Sequence, residues 1–222
     1  MSFLDRFLAR RSRKVVFTTK SFYEGYYKKN VSESQLVVEE NKLETYNRVR
    51  PIEKMKSDKL RIAYIGAFRY AEIIKGLTEV VAANQNIILN FYGATHDGPI
   101  IQGIKKAVNE NSNIFYHGPF KNPDDLERIY GENNLNFVVY NNTLENEKVA
   151  MPNKYYESGF FNIPIVCAND TYVAQRVLEN KMGWTIDTDK ESISDFLNTI
   201  TMSELMDCHE SIKTLDKQYF VV

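Results

Sequence analysis

About two thirds of the way along this 222-residue chain an amide, a cation and a carboxylate stand close together: Asn153, Lys154 and Glu157, directly behind Pro152. Glu157 follows Lys154 by three residues and Asn153 by four, so on a helix it shares a face with either. Proline suits the first position of a helix, because the N–H it lacks has no intrahelical partner there. The free N–H groups and positive dipole end of such a helix favour a phosphate. Glu157 offers one carboxylate oxygen to each hydroxyl of a ribose. The plainer reading is an i,i+3 ion pair between Lys154 and Glu157, worth only ~0.3 kcal/mol on a helix surface. Tyr155, Tyr156, Phe160 and Phe161 read as core.

Further cations lie upstream. Gly66-Ala67-Phe68-Arg69 follows an apolar run, with Lys75 six residues beyond Arg69. The glycine permits a tight turn, and arginine and lysine at the mouth of a crevice suit a diphosphate. The G-x-G-x-x-G pattern of dinucleotide sites is absent. A structural account is also open, with Lys75 solvated on a helix and Arg69 in a surface ion pair. The run His117-Gly118-Pro119-Phe120 ends another apolar segment, and its loop would border a base held by backbone groups and an apolar side chain. His117 reads as structural more readily than as a general base, since no carboxylate is spaced to orient it.

These residues need elements to hold them. Strand-like apolar runs fall at 60–65, 87–92, 113–117, 136–140, 164–168 and 183–186. Helical stretches separate them at 71–83, 99–111, 123–132, 152–161 and 172–181, and two more follow at 192–199 and 202–215. The alternation predicts an α/β fold: a Rossmann-like parallel sheet of about six strands with helices on both faces. Ligands of such sheets lie beyond the carboxyl ends of the strands, where every candidate above falls. The polar stretch 141–148 reads as a loop long enough to cover a ligand. Ahead of this region, 14–19 and 35–38 read as strands around a helix carrying Phe22, Tyr23, Tyr26 and Tyr27. Residues 42–59 read as a linker.

Residues 1–14 differ in composition from the rest. Phe3, Leu4, Phe7 and Leu8 fall on one helical face, with Arg6, Arg10, Arg11, Arg13 and Lys14 around it. This is either a basic amphipathic helix lying on an anionic membrane, as a peripheral contact, or an ordinary helix packed on a sheet. The net charge of −1 argues against a general nucleic-acid binder. Two cysteines, Cys167 and Cys208, supply no disulfide framework or metal spacing, which points to a reducing cytoplasm, with the inner face of the membrane as a second address. No apolar run approaches the ~20 residues of a membrane span.

The stretch 60–187 resembles the carboxyl-terminal, donor-binding half of GT-B glycosyltransferases of the group 1, family 4-like kind, which build bacterial capsule and lipopolysaccharide. Ile65-Gly66-Ala67-Phe68-Arg69, Phe115-Tyr116-His117-Gly118-Pro119-Phe120, Met151-Pro152-Asn153-Lys154-Tyr155-Tyr156-Glu157 and Asn162-Ile163-Pro164-Ile165-Val166 carry the likeness. It implies a UDP- or GDP-linked sugar as donor, a glycan or lipid-linked acceptor, and transfer without a metal or other cofactor. Arg69 and Lys75 would hold the diphosphate, and backbone near Pro119 and Phe120 the base. The helix start at Pro152, Asn153 and Lys154 would meet the distal phosphate, and Glu157 the ribose. Many relatives carry a sugar-contacting glutamate eight residues before the ribose-binding one. Val149 stands there, with Glu147 ten before. By the same likeness, residues 1–41 would be a remnant of the amino-terminal acceptor domain, 42–59 the linker and 60–222 the nucleotide-sugar-binding domain. Such a chain would be inactive without an acceptor domain, which a partner chain could supply. The competing readings are a non-catalytic binding or interaction subunit and an unrelated α/β regulator.

Overall fold

The computed structural model of the protein describes residues 3–44 and 48–222; the side chain of Phe3 lies outside the described part. Six parallel strands make the main sheet: β3 (Leu60–Ala67), β4 (Ile87–Ala94), β5 (Ile114–Gly118), β6 (Leu135–Val138), β7 (Ile165–Ala168) and β8 (Gly183–Ile186). Their spatial order is β5-β4-β3-β6-β7-β8. Numbered within the sheet this is 3-2-1-4-5-6, the order of doubly wound nucleotide-binding folds. The chain reverses direction across the sheet between β3 and β6, and a crevice opens there beyond the strands' carboxyl ends. The architecture is the expected one.

Sequence pattern explains the layers. Every residue of β6 and β7 is buried, as strands covered on both faces must be. The covering helices are α3 (Ala71–Ala82), α4 (Gly98–Glu110), α5 (Leu126–Glu132), α7 (Asn153–Phe161), α8 (Tyr172–Glu179), α9 (Lys190–Thr199) and α10 (Met202–Lys213). On α4 the buried residues Ile100, Ile104 and Ala107 make the inward stripe of an amphipathic helix. Side chains of Asp97, Thr171, Asp189 and Thr201 cap α4, α8, α9 and α10, each cap worth ~1 kcal/mol. Helix α7 is different: residues 154–161 are all buried. It lies between the sheet and the terminal turn Lys217–Phe220, and the ring of Phe220 occupies the space a side chain at Gly159 would need.

The amino-terminal unit is a second, smaller packing. Helix α1 (Phe3–Arg11) leads to β1 (Val15–Phe17), a short helical segment α2 (Lys20–Phe22) that continues as a wider turn over Tyr23–Tyr27, and β2 (Leu36–Val38). The two strands pair in parallel, Val15 opposite Leu36. Ala9, Phe17, Tyr23 and Val31 form the unit's own core. It meets the main domain through Thr19, whose hydroxyl donates to the Val149 carbonyl (3.0 Å), and Tyr26, whose hydroxyl donates to the Glu145 carbonyl (2.7 Å).

Two segments depart from the sequence reading. The stretch read as a linker contributes buried Leu43, Val49 and Met55 to the main core. Leu43 also bridges in parallel to Val221, and the Asn162 side chain donates to the Ile52 carbonyl (3.1 Å). Isolated apolar residues in a charged stretch carry no period, so composition alone suggested solvent. The polar loop 141–148 contains a helical turn, α6 (Glu145–Val149), closed by a Lys148–Glu145 ion pair at 2.8 Å.

Candidate functional site

The site is built where β3 and β6 part. Gly66 has φ +117°, open to glycine and strained for other residues, and a Cβ there would lie 3.7 Å from the Lys154 side chain. The next strand approaches so closely that a Cβ on Gly93 would overlap the Gly66 carbonyl. Small residues at this edge thus leave room for the lysine that α7 brings across. Pro152 caps α7 from outside in an extended conformation, one residue earlier in role than expected, and no side chain caps the helix start. The Tyr155 amide turns back to the Pro152 carbonyl (3.0 Å), and the amides of Asn153 and Lys154 receive no side-chain cap.

Lys154 and Glu157 are 8% and 1% exposed. The ammonium donates to both Glu157 carboxylate oxygens at 2.8 Å, and the Tyr130 hydroxyl donates to Oε2 at 2.8 Å. Burial first, then the adjacent carboxylate, raises the Tyr130 hydroxyl far above its ordinary range, so it stays a donor. Tyr130 is held from behind by stacking on Phe161, with ring centroids 4.8 Å apart, and by the Asn136 amide at 3.2 Å. Asn136 also donates to the Ser158 hydroxyl (2.8 Å). The Lys154 ammonium sits 5.8 Å from the centre of the Phe120 ring. The ion pair foreseen as a surface contact is therefore a buried one, and the surface estimate of its worth does not apply. Taking both charges out of water costs several kcal/mol per ion before their attraction returns it.

Beside this pair lies a cleft of about 520 Å³, lined among others by Glu40, Lys42, Asn122, Pro123, Asn153 and Glu157. Residues 39–44 of the amino-terminal side thus form one wall and the start of α7 the other. Arg69 is exposed three residues past Gly66 and makes no hydrogen bond or ion pair among the described residues. It borders a second cleft with Tyr70, Asn141, Leu144, Glu147 and Thr188. Both regions share one edge of the sheet. Burial, then Glu147 and Glu157, push the Tyr140 hydroxyl upward, while Arg69 pulls it down, so all three charges act on one phenol.

Gly66, Phe120, Pro152, Asn153, Lys154 and Glu157 come together, with Arg69 at the same edge. Gly118 turns the chain out of β5 with φ +77°, and exposed Pro119 leads to Phe120. Lys75 and His117 have other surroundings. Lys75 is exposed on α3 and lines a groove between α3 and α4 with Glu72 and Asp97, and Asp97 also lines the hollow that Arg69 borders. His117 stacks on Tyr92 (4.4 Å) and contacts the Asn90 side-chain oxygen Oδ1 through Nε2 (2.9 Å). The Asn90 nitrogen already donates to Asn133, so Nε2 is the donor, and burial lowers the imidazole's affinity for a proton. Strand alternation puts His117 on the face opposite Tyr116, in a structural network with Tyr92 and Glu132. Sequence reasoning missed Tyr130, Tyr140 and Asn122, which are ordinary residues with no local spacing to Glu157. Glu147 stood out only by resemblance. Among the described residues no three His, Cys, Asp or Glu side chains gather as a metal site would need.

No protein-family model and no curated protein sequence matches the chain. Solved structures do match in fold. The carboxyl-terminal domain of LpcC, a group 1 glycosyl transferase family protein from Francisella tularensis, superposes with a TM-score of 0.61 at 11% identity, over 79% of this chain and 97% of that one. The fold is that of a GT-B carboxyl-terminal domain. Sucrose-phosphate synthase from Thermosynechococcus elongatus, at TM-score 0.71 and 14% identity, is matched over 98% of this chain and 57% of its own. A mutant of S. aureus TarM in complex with fondaparinux, alpha-GlcNAc-glycerol and UDP gives 0.66 at 14% identity, over 96% of this chain and 43% of its own. The chain spans about half the length of these two GT-B neighbours.

Proposed function

We propose that this chain is the nucleotide-sugar-binding half of a glycosyltransferase that uses a UDP- or GDP-linked donor in making a bacterial surface polysaccharide. One observation carries the reading: the uncapped start of α7, with Lys154 and Glu157 behind it, opens on a cleft walled by residues 39–44 and by Asn122 and Pro123 of the loop after β5. The cleft's far wall contains Glu39, Glu40 and Glu44, which repel phosphates. The nucleoside therefore occupies that cleft, and the diphosphate lies across the helix start toward Arg69. There the amides, the dipole and the guanidinium all favour negative charge. Glu157 meets a ribose once Lys154 turns from it toward phosphate. The metal-free route then rests on these donors stabilising the leaving nucleoside diphosphate. The UDP found with the TarM mutant supports the nucleotide class.

The acceptor side is supplied by a glycan or lipid-linked substrate held on an acceptor domain or partner chain, so the 222-residue chain binds donor and transfers little alone. The non-catalytic reading shares the binding and differs in lacking transfer when an acceptor domain is added. Calorimetric titration with UDP and GDP tests the proposal. Saturable binding is expected, weakened about tenfold or more by Arg69→Ala and by Asn153→Asp, which places a carboxylate at the helix start. Both positions are exposed, so the fold survives. Absence of saturable binding to either nucleotide, or binding indifferent to both substitutions, sinks the reading.

A further inference from the structure

Helix α1 presents its apolar side outward. Leu4, Phe7 and Leu8 are 61%, 42% and 54% exposed, while Ala9, roughly opposite on the helix, is the residue buried against the unit's core. The helix cannot roll to hide this stripe. Gln35 donates to the carbonyls of Ala9 (3.3 Å) and Ser12 (2.6 Å), and the Lys14 ammonium donates to the Ser34 carbonyl (2.8 Å). Arg6, Arg10 and Arg13 make no ion pair among the described residues, and the Arg11 guanidinium lies 4.3 Å over the Phe7 ring. Five cations against one acid in residues 1–14 stand out in a chain whose net charge is −1. An outward apolar stripe bordered by uncompensated guanidinium groups matches an anionic lipid surface: the side chains enter the acyl boundary while the arginines meet phosphates. A second copy of the chain fits badly, because it would bring these arginines against one another. No helix among the described residues is long and apolar enough to cross a membrane, so the contact is one of lying on the surface.

We propose that α1 is a membrane-surface anchor that docks the chain on anionic lipid through Leu4, Phe7 and Leu8, with Arg10 and Arg11 at the headgroups. The anchored unit touches the main domain at Val149 and Glu145, next to the start of α7, so docking holds the crevice near the bilayer. This goes beyond the donor-site reading and does not depend on it.

Flotation of the full chain with vesicles, without nucleotide, is the test. The chain is expected to rise with vesicles of phosphatidylcholine and phosphatidylglycerol, to stay behind with phosphatidylcholine alone, and to be released by salt. Leu4→Ser with Phe7→Ser, and separately Arg10→Glu with Arg11→Glu, should each lower the partition about tenfold or more. All four positions are exposed, and unchanged thermal melts confirm that the variants fold. Failure to float with anionic vesicles overturns the proposal, as does flotation that neither pair of substitutions reduces. Self-association that Phe7→Ser abolishes, with no lipid binding, would assign the stripe to a second copy instead.

Discussion

The pairs Glu145–Lys148 on α6 and Lys154–Glu157 on α7 have the same residue types, the same i,i+3 spacing and the same 2.8 Å separation. Their surroundings differ. The side chains of Glu145 and Lys148 are 71% and 41% exposed, those of Lys154 and Glu157 10% and 1%. Water solvates the first pair whether or not it closes, so closing it changes little. The second has given up its water, and each charge depends on the other and on Tyr130. A buried pair of this kind is weak evidence for stability and better evidence for use, since an apolar pair of similar volume would serve the core as well.

The largest expected effect breaks that dependence. Glu157→Ala leaves the Lys154 ammonium buried without its anion, and a loss of about 3–5 kcal/mol in urea denaturation follows. A loss below about 1 kcal/mol would mean that Lys154 swings freely to solvent, and that the site is already open without ligand.

Next in size is removal of both charges. Lys154→Met with Glu157→Leu should recover most of the stability lost by Glu157→Ala, to within about 2 kcal/mol of the unsubstituted chain, while abolishing UDP and GDP binding. Stability measured by denaturation and affinity by calorimetry would then separate, which is the signature of a pair kept for a ligand. If affinity survives, the pair is structural and the donor reading loses its floor.

Much of the frame was legible in the chain. Continuous apolar runs of strand length alternating with amphipathic stretches specify a parallel sheet, because only strands covered on both faces can be apolar throughout. The positions of Gly66 and Pro152 followed from backbone chemistry that reads directly from residue type. What could not be read was depth. Lys154–Glu157 and Glu145–Lys148 look alike in one dimension, and only the tertiary fold buries α7 all round while leaving α6 at the surface. The start of α3 at residue 71 is legible in the chain, and it sets Lys75 at the beginning of the second turn, over the groove between α3 and α4. Tyr130 was invisible because its partner lies 27 residues on, in another helix. Residues 42–59 hid their buried apolar side chains among charges.

The smallest effect sharpens the comparison from the exposed side. The Lys148 ammonium, through its hydrogen bond, holds the Glu145 carboxyl below the usual glutamate range, and Glu145 in turn raises Lys148. A carboxyl lowered in the folded state contributes stability above its unfolded value, and the contribution is lost as pH falls through the folded value. A raised lysine contributes below its own unfolded value and loses that as pH rises through the folded one. The pair's contribution is thus a plateau across neutral pH with an edge at each end. Solvent exposure keeps the plateau low, so Glu145→Gln should shift the melting temperature barely measurably at neutral pH and not at all in acid below the carboxylate range. A large shift at neutral pH would show that α6 braces the crevice through this pair. Since Tyr26 donates to the Glu145 carbonyl, it would also show that the amino-terminal unit is coupled to the site through one exposed turn.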